Sequence, residues 1–344
     1  MQTCLYQHHN AHKAVFTDFF GWQLPRWFST ASKEHQAVRT QSGIFDVSHM
    51  GLLQLSGDTV LADMQYLSYK RLTLDNNRLI YTLFLNQDGG ILDDLIIGKS
   101  DEKTLFCVVN ASNKSKIIAW IRAQAPTVVI TECNATDGLM AWQGPDAWQL
   151  LAKLAGPLTD IKPFHYYSIT VDTEPVRLMR TGYTGEDGVE LWGSHQAIQS
   201  LWSYALASGA TPCGLAARDS LRIEAGLPLY GQELTASLTP YSTRYATPVS
   251  DHDYSGKAAL SRLRAYPVIT GLVIDGPAIP RPGMLVMQSD RYLGVITSGT
   301  KVKNRVIAMA LFKTKQAIGT GVTVRIRQRD YTATIVSLPF YTRS

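Results

Sequence analysis

Residues 85–98 read LNQDGGILDDLIIG. The four residues Gln87-Asp88-Gly89-Gly90 predict a tight hairpin turn, because glycine supplies the positive φ that such turns need. The apolar runs on either side, YTLFLN and ILDDLIIG, then pair as strands. Two aspartates, Asp93 and Asp94, sit next to each other in the second run. Side chains alternate along a strand, so the two carboxylates face opposite ways. Asp93 shares its face with Ile91, Leu95 and Ile97, and Asp94 shares its face with Leu92 and Ile96. Whichever face lies inside, one carboxylate stands among apolar neighbours, where an unpaired charge is costly. The strand therefore poses a functional question as well as a structural one.

At 344 residues the chain is long for one core, and two or three domains are expected. A chain that is 45% hydrophobic and 18% charged has the composition of a soluble globular protein. No apolar run approaches the roughly 18 residues of a membrane span. The first residues, MQTCLYQHHNAHKAVF, show neither an apolar signal core nor an Arg/Ser-rich transit pattern, so the expected location is the cytoplasm. Cys4, Cys107, Cys133 and Cys213 are scattered without a Cys-x-x-Cys pair, which points to reduced thiols. His8, His9 and His12 include two pairs at helical spacing but lack a further ligand cluster, so no metal is expected. The net charge of +5 gives a modest preference for anionic partners. Its basic residues are dispersed, as in RLR (262–264), KVKNR (301–305) and RIRQR (325–329), which reads as solvated surface with no nucleic-acid motif.

Residues 1 to about 240 mix strands and helices. ITVDTEPVRLMRTG predicts two strands joined by a turn. HQAIQSLWSYALASG (195–209) has helical spacing with Gly209 placed to end it, and GLAARDSLRIEAG follows as a second helix closed by Gly226. After about Asp251 the texture becomes short β-branched and aromatic runs between Gly, Pro and Asp turns, which predicts a small all-β barrel or sandwich. The Pro-, Ser- and Asp-rich stretch LTPYSTRYATPVSDHDYSGKAAL marks the boundary.

Gly-x-Ser-x-Gly, P-loop and zinc-protease signatures are all absent. GYTGEDG (182–188) reads as a turn leading into the strand VELW, in which Glu190 shares a face with Trp192. Periodicity alone leaves Glu190 open between a solvated edge, a structural ion pair and a ligand contact. Arg218 and Arg222 are four residues apart on one helix face, so an acid or an anionic ligand is expected near them. Asp219 and Glu224 could serve, as could the carboxylate of a ligand.

Taken together, FGWQLP (20–25), GIFDVSHMG (43–51), LNQDGGILDDLI, VVNASN (108–113), RTGYTGEDGVELW, GLAARDSLRIEAGLPLYG and GVITSGT (294–300) resemble the T-protein, or aminomethyltransferase, family of the glycine cleavage system. The seven motifs recur in the family's order, and the resemblance runs from about residue 5 to residue 341. It implies an α+β, three-lobed fold with two interleaved α/β lobes, a central folate cavity and a C-terminal β-barrel. The implied division is 1–53 with 135–245 as the first lobe, 54–134 as the second and 246–344 as the barrel. The implied reaction uses tetrahydrofolate as co-substrate. An aminomethyl group on the lipoyl arm of H-protein is the donor, ammonia is released, and 5,10-methylenetetrahydrofolate is formed by a monomeric enzyme without a metal.

The same resemblance implies residue roles. Asp94, the second aspartate of GILDDLI, faces the folate, where a carboxylate can orient the nucleophilic nitrogen and stabilise developing positive charge. Asp93 is then structural. Glu190 matches the acid that binds the pterin's guanidine-like edge, and Tyr183, Tyr81 and Asn110 match residues that line the cavity. Arg218 matches a ligand-binding arginine, and Arg222 is either structural or a contact for the folate tail. Tyr341 resembles a late tyrosine that closes the site from the barrel, whereas His49 and Trp22 read as structural. The chain departs from the family after LTP (238–240), where YSTRYATPVSD lacks an acid and puts Pro248 inside an expected strand. The basic residue often found before GL is missing from YPVITGL. Two other readings on the same fold are a folate-dependent demethylase and a non-enzymatic folate-binding protein. The latter type carries a cysteine that AGLPLYGQEL lacks.

Overall fold

A computed structural model describes residues 1–75, 77–156, 161–246 and 251–343. The chain divides into two compact units, Met1–Thr82 with Leu95–Arg218, and Leu83–Asp94 with Asp219–Ser344.

The first unit holds a six-stranded sheet in the order Tyr166–Val171, Glu174–Met179, Gly188–Ser194, Asp137–Gln143, Gly43–Asp46, Thr211–Pro212. Its neighbours are antiparallel except for the last pair, where Thr211 and Pro212 run parallel to Gly43 and Ile44. The expected two-strand reading of ITVDTEPVRLM holds, with Asp172 and Thr173 at positive φ (46° and 72°) forming the turn. Helix His195–Ala207 is capped by Ser194, whose Oγ accepts from the Ala197 N–H at 3.2 Å. Gly209 follows the helix at φ 91°, a conformation that favours glycine. The buried face of this helix, Ile198, Leu201, Trp202 and Ala205, packs with Trp142, Leu191 and Met140 of the sheet into one apolar core. Strand Gly188–Ser194 is the third of the six, so Glu190 lies in the sheet's interior and not on a solvated edge.

A five-stranded sheet runs in the order Ile80–Leu85, Ile91–Asp101, Thr104–Val109, Gly51–Ser56, Val129–Glu132. The predicted hairpin turn is present. The Asn86 N–H donates to Gly90 O at 2.8 Å, and Asn86 Oδ1 accepts from the N–H groups of Asp88 (3.0 Å) and Gly90 (2.8 Å). Gly89 has φ 81°. Gly90 is needed for a different reason, since a Cβ there would lie 1.9 Å from Ala236 O.

In the second unit the β texture after residue 251 resolves into a closed barrel. Its order is Val268–Ile274, Arg305–Phe312, Arg291–Val302, Leu285–Gln288, Gly321–Ile326, Arg329–Val336, and the last strand pairs back to the first. The interior is filled by Leu272, Val286, Ile296, Ala308, Phe312, Val324 and Ile335, inward-facing residues of successive strands. A short helix, Lys257–Arg262, precedes the barrel and was not foreseen from SGKAAL. Pro248 lies outside the described residues. Among the described residues no helix is long and apolar enough to cross a membrane.

Candidate active site

In the first unit the loop that carries GYTGEDG is pinned by a buried glutamine. Gln143 Nε2 donates to Thr181 O and Val189 O, both at 3.1 Å, and Gln143 Oε1 accepts from Thr184 Oγ1 at 3.0 Å. A Cβ at Gly182 would lie 1.9 Å from Gln143 Oε1, so the close approach requires glycine there. Arg39 Nη1 donates to Thr184 O at 2.9 Å and pairs with Glu186 at 3.0 Å. Arg180 forks onto both oxygens of Asp187. Burial works to raise the Asp187 pKa, but these bonds outweigh it and hold the carboxyl at about 2. The loop is thus fixed from both ends.

That framework presents Tyr183, half-buried, with the Arg218 guanidinium 4.7 Å from its ring centroid. Glu190 is only 9% exposed. Its one side-chain hydrogen bond among the described residues comes from Thr181 Oγ1, at 2.6 Å. Burial lowers the Arg218 pKa, and the nearby Glu190 carboxylate and Tyr183 counter it. Arg218 Nη1 is buried with no hydrogen-bond partner among the described residues. A pair of this kind has binding capacity left over: a carboxylate can accept N–H groups while a guanidinium donates to a carbonyl or carboxylate. The structure brings Glu190, Tyr183 and Arg218 together.

Tyr81 lies on strand Ile80–Leu85, half-buried, with Lys70 Nζ 5.6 Å from its ring centroid. Burial lowers the Lys70 pKa. Asn110 follows strand Thr104–Val109 and opens the 3-10 turn Ala111–Asn113. Its backbone O accepts from the Asn113 N–H at 2.9 Å, while its side chain does not cap the turn.

In the second unit the adjacent aspartates separate as alternation requires. Asp93 is fully buried, flanked along its face by Ile91, Leu95 and Ile97, while Asp94 is half-buried. Two tyrosines that the sequence reading did not single out accompany them. Tyr230 Oη donates to Ile91 O at 3.1 Å. Burial raises the Tyr230 pKa, and the charges of Asp93 and Asp94 add to the shift. The Tyr245 phenol is pushed up to about 12, chiefly by burial, with Asp94 reinforcing and Arg244 opposing. Both phenols therefore remain protonated near neutral pH. Tyr230 sits in the recognised block GLPLYG, but nothing in local spacing marks Tyr245, which belongs to the stretch that departs from the family.

Arg222 is 2% exposed and its donors are engaged. Nε bonds Asp219 Oδ1 (2.8 Å), Nη1 bonds Glu233 Oε2 (2.9 Å) and Leu227 O (3.3 Å), and Nη2 bonds Ser298 Oγ (2.7 Å). Tyr341 is half-buried, and its N–H, like that of Phe340, donates to Glu224 O at 3.0 Å. The end of the chain is thereby tied to the C-terminus of helix Leu215–Glu224. Among the described residues no group of three His, Cys, Asp or Glu could hold a metal ion.

A buried carboxylate and guanidinium with spare hydrogen-bonding capacity beside a phenol ring can hold a polar heterocycle. Residues 5–250 match the model of the GCVT N-terminal domain, and residues 268–342 match that of the glycine cleavage T-protein C-terminal barrel domain. A relative from Bacillus velezensis named aminomethyltransferase is 40% identical, over 99% of this chain and 98% of its own length. One from Prochlorococcus marinus with the same name is 38% identical over 99% and 97%. The crystal structure of glycine cleavage system aminomethyltransferase T from Bartonella henselae superposes with a TM-score of 0.92, covering 99% of this chain and 98% of that one at 29% identity. The chain belongs to the aminomethyltransferase family of glycine cleavage T-proteins.

Proposed function

We infer that the protein is the tetrahydrofolate-dependent aminomethyltransferase of the glycine cleavage system. It takes the one-carbon unit from the aminomethylated lipoyl arm of H-protein and passes it to tetrahydrofolate. Ammonia, dihydrolipoyl H-protein and 5,10-methylenetetrahydrofolate are the products. The observation that carries this reading is the Glu190–Arg218–Tyr183 cluster within a chain that matches the family end to end. The residues fit the co-substrate chemically. Glu190 has capacity for the N–H edge of the pterin's 2-amino-pyrimidinone, and the unpartnered Arg218 Nη1 has a donor for its carbonyl.

In this reading Tyr183, Tyr81 and Asn110 line the folate site. Asp94 orients the nitrogen that receives the carbon and offsets positive charge that develops on the carbon in transit. A fixed carboxylate in a partly dehydrated place does this more effectively than one in water. Tyr230 and Tyr245, both protonated near neutral pH, lie within the field of the Asp94 carboxylate. Tyr341 is assigned to folate binding on the family resemblance alone. We assign Arg222 to the framework and not to the folate tail, because its donors already meet Asp219, Glu233, Leu227 and Ser298. We also propose the three-part division 1–53 with 135–245, 54–134 and 246–344. It is supported by the three larger sheets, which fall one to each part, except that strand Gly51–Ser56 straddles a boundary; the two-stranded sheet Val15–Phe19 with Trp22–Trp27 also lies in the first part. A cytoplasmic monomer that meets H-protein transiently completes the proposal.

The test is formation of methylenetetrahydrofolate and ammonia from tetrahydrofolate and aminomethylated H-protein. The wild type turns over, and Asp94→Asn falls by about a hundredfold or more while still binding folate. Turnover that survives the substitution removes Asp94 from the mechanism. Folate binding without any ammonia release in the wild type would instead favour demethylase chemistry.

A further inference from the structure

Sequence alone reads His49 as structural, and its surroundings argue otherwise. The residues on either side of it are held to a degree that packing does not require. Ser48 Oγ donates to Leu139 O and accepts from the Leu139 N–H, both at 3.1 Å. The Ser48 N–H donates to Asp46 Oδ1 at 3.0 Å. Asn134 Nδ2 donates to Ser48 O at 3.1 Å and to Met50 O at 2.8 Å, which brackets His49 from both sides. Asp46 is itself fixed, by His9 Nε2 at 2.7 Å and by Thr3 Oγ1. This clamp holds an imidazole that is 5% exposed and packs edge-on against Phe19 at 5.5 Å.

The His49 Nδ1 so held is buried and has no hydrogen-bond partner among the described residues. His9 also has a buried Nδ1 without a partner among the described residues, but its Nε2 is paired with Asp46. The charge that acts most strongly on His49 belongs to Arg218, whose Nη1 is the other orphaned group of this cluster. The backbone places His49 near this cluster: it follows strand Gly43–Asp46, whose Phe45 stands opposite Ala141, and Ala141 stands opposite Glu190 on the next strand. Buried polar atoms left without partners at His49 and Arg218 give such a place capacity for a ligand. Burial and the Arg218 charge push the His49 pKa down to about 4, against the pull of Asp46, so the ring is uncharged near neutral pH. A neutral imidazole can offer a lone pair or an N–H beside a guanidinium without repelling it.

We propose that His49 is a third ligand-reading group of the folate site, an uncharged imidazole that hydrogen-bonds the heteroaromatic ring held by Glu190 and Arg218. It recognises the neutral donor–acceptor edge of a fused pyrimidinone, a feature that a charged side chain would read less selectively. The proposal rests on the reading that Glu190 and Arg218 bind this ring.

The test uses the full-length protein labelled with 15N at the histidine ring nitrogens, titrated with tetrahydrofolate under reducing conditions. The His49 ring signals are expected to start as a neutral tautomer and to shift on saturation. Dissociation constants are then measured by tryptophan fluorescence. His49→Phe should weaken binding about tenfold, the size of one lost neutral hydrogen bond in a buried site. His49→Gln, which keeps a neutral donor and acceptor, should recover most of that loss. Unmoved His49 ring signals in saturated wild-type protein would overturn the proposal, whether or not the variants fold. So would His49→Phe binding as tightly as wild type while Glu190→Gln binds poorly. Undiminished binding by Glu190→Gln would overturn the underlying reading of the ring site instead.

Discussion

Arg218 and Arg222 are the same residue type, one helical turn apart, and they live in opposite conditions. Arg222 meets a buried carboxylate, a second carboxylate, a carbonyl and a hydroxyl. Arg218 touches a phenol ring and a carboxylate's field, and it leaves a buried nitrogen without a partner. Arg222 is satisfied as a framework group is, and the incomplete Arg218 is the one our proposal assigns to the ligand. Sequence spacing could not distinguish them, because the difference is made by Glu233, Ser298 and Glu190, none of which is a local neighbour on the helix.

The largest effect that would sharpen this contrast comes from Arg222→Met. Removing the cation leaves Glu233 buried and uncompensated, so stability should fall by about 3–5 kcal/mol in chemical denaturation. The double variant Arg222→Met/Glu233→Met should regain much of it. If the single variant is as stable as wild type, the satisfied arginine is not a framework element. Next, Arg218→Met should raise the tetrahydrofolate dissociation constant about tenfold to a hundredfold, as a lost charge-assisted hydrogen bond does. Its ligand-free stability should change far less than that of Arg222→Met, and Arg218→Lys should fall between because it lacks the planar fork. Equal destabilisation by the two methionine variants would erase the distinction.

The smallest effect concerns the rim of the loop. Asp187 has its pKa depressed to about 2, so its contribution to stability is fully present above about pH 4 and is lost as pH falls towards 2. In Arg180→Gln this pH-dependent part should shrink, seen as a shallower decline of melting temperature between pH 4 and pH 2. An unchanged decline would mean that the Arg180 fork does not hold the loop.

Much of the fold could be read from local pattern. The hairpin around Gly89-Gly90, the strands joined at Asp172-Thr173, the helices ending at Gly209 and Gly226 and the β-rich last third all have short-range signals. Helix Lys257–Arg262 was missed because six residues give too little periodicity to register. The parallel pairing of Thr211–Pro212 with Gly43–Ile44 joins segments far apart in sequence. In the site, the adjacent aspartates were visible as an anomaly, and alternation told that they would part; which of them would be buried depended on distant segments. Tyr245 carried no local mark, and His49, although it sits in the block GIFDVSHMG, read as structural. What draws attention to them is a neighbouring charge and a nitrogen left without a partner among the described residues, and both are properties of the folded molecule.

The contact at Gly90 has a consequence for how this enzyme can vary. With Ala236 O only 1.9 Å from where a methyl group would stand, the turn has no slack on that side. Asp94 lies four residues further along the same strand, about 13 Å at ordinary strand rise. The glycine acts as a depth stop for that lever. An added methyl would push the turn off its seat and carry the displacement to the carboxylate. The position of the Asp94 carboxylate is thus set in part by an atom that is not there.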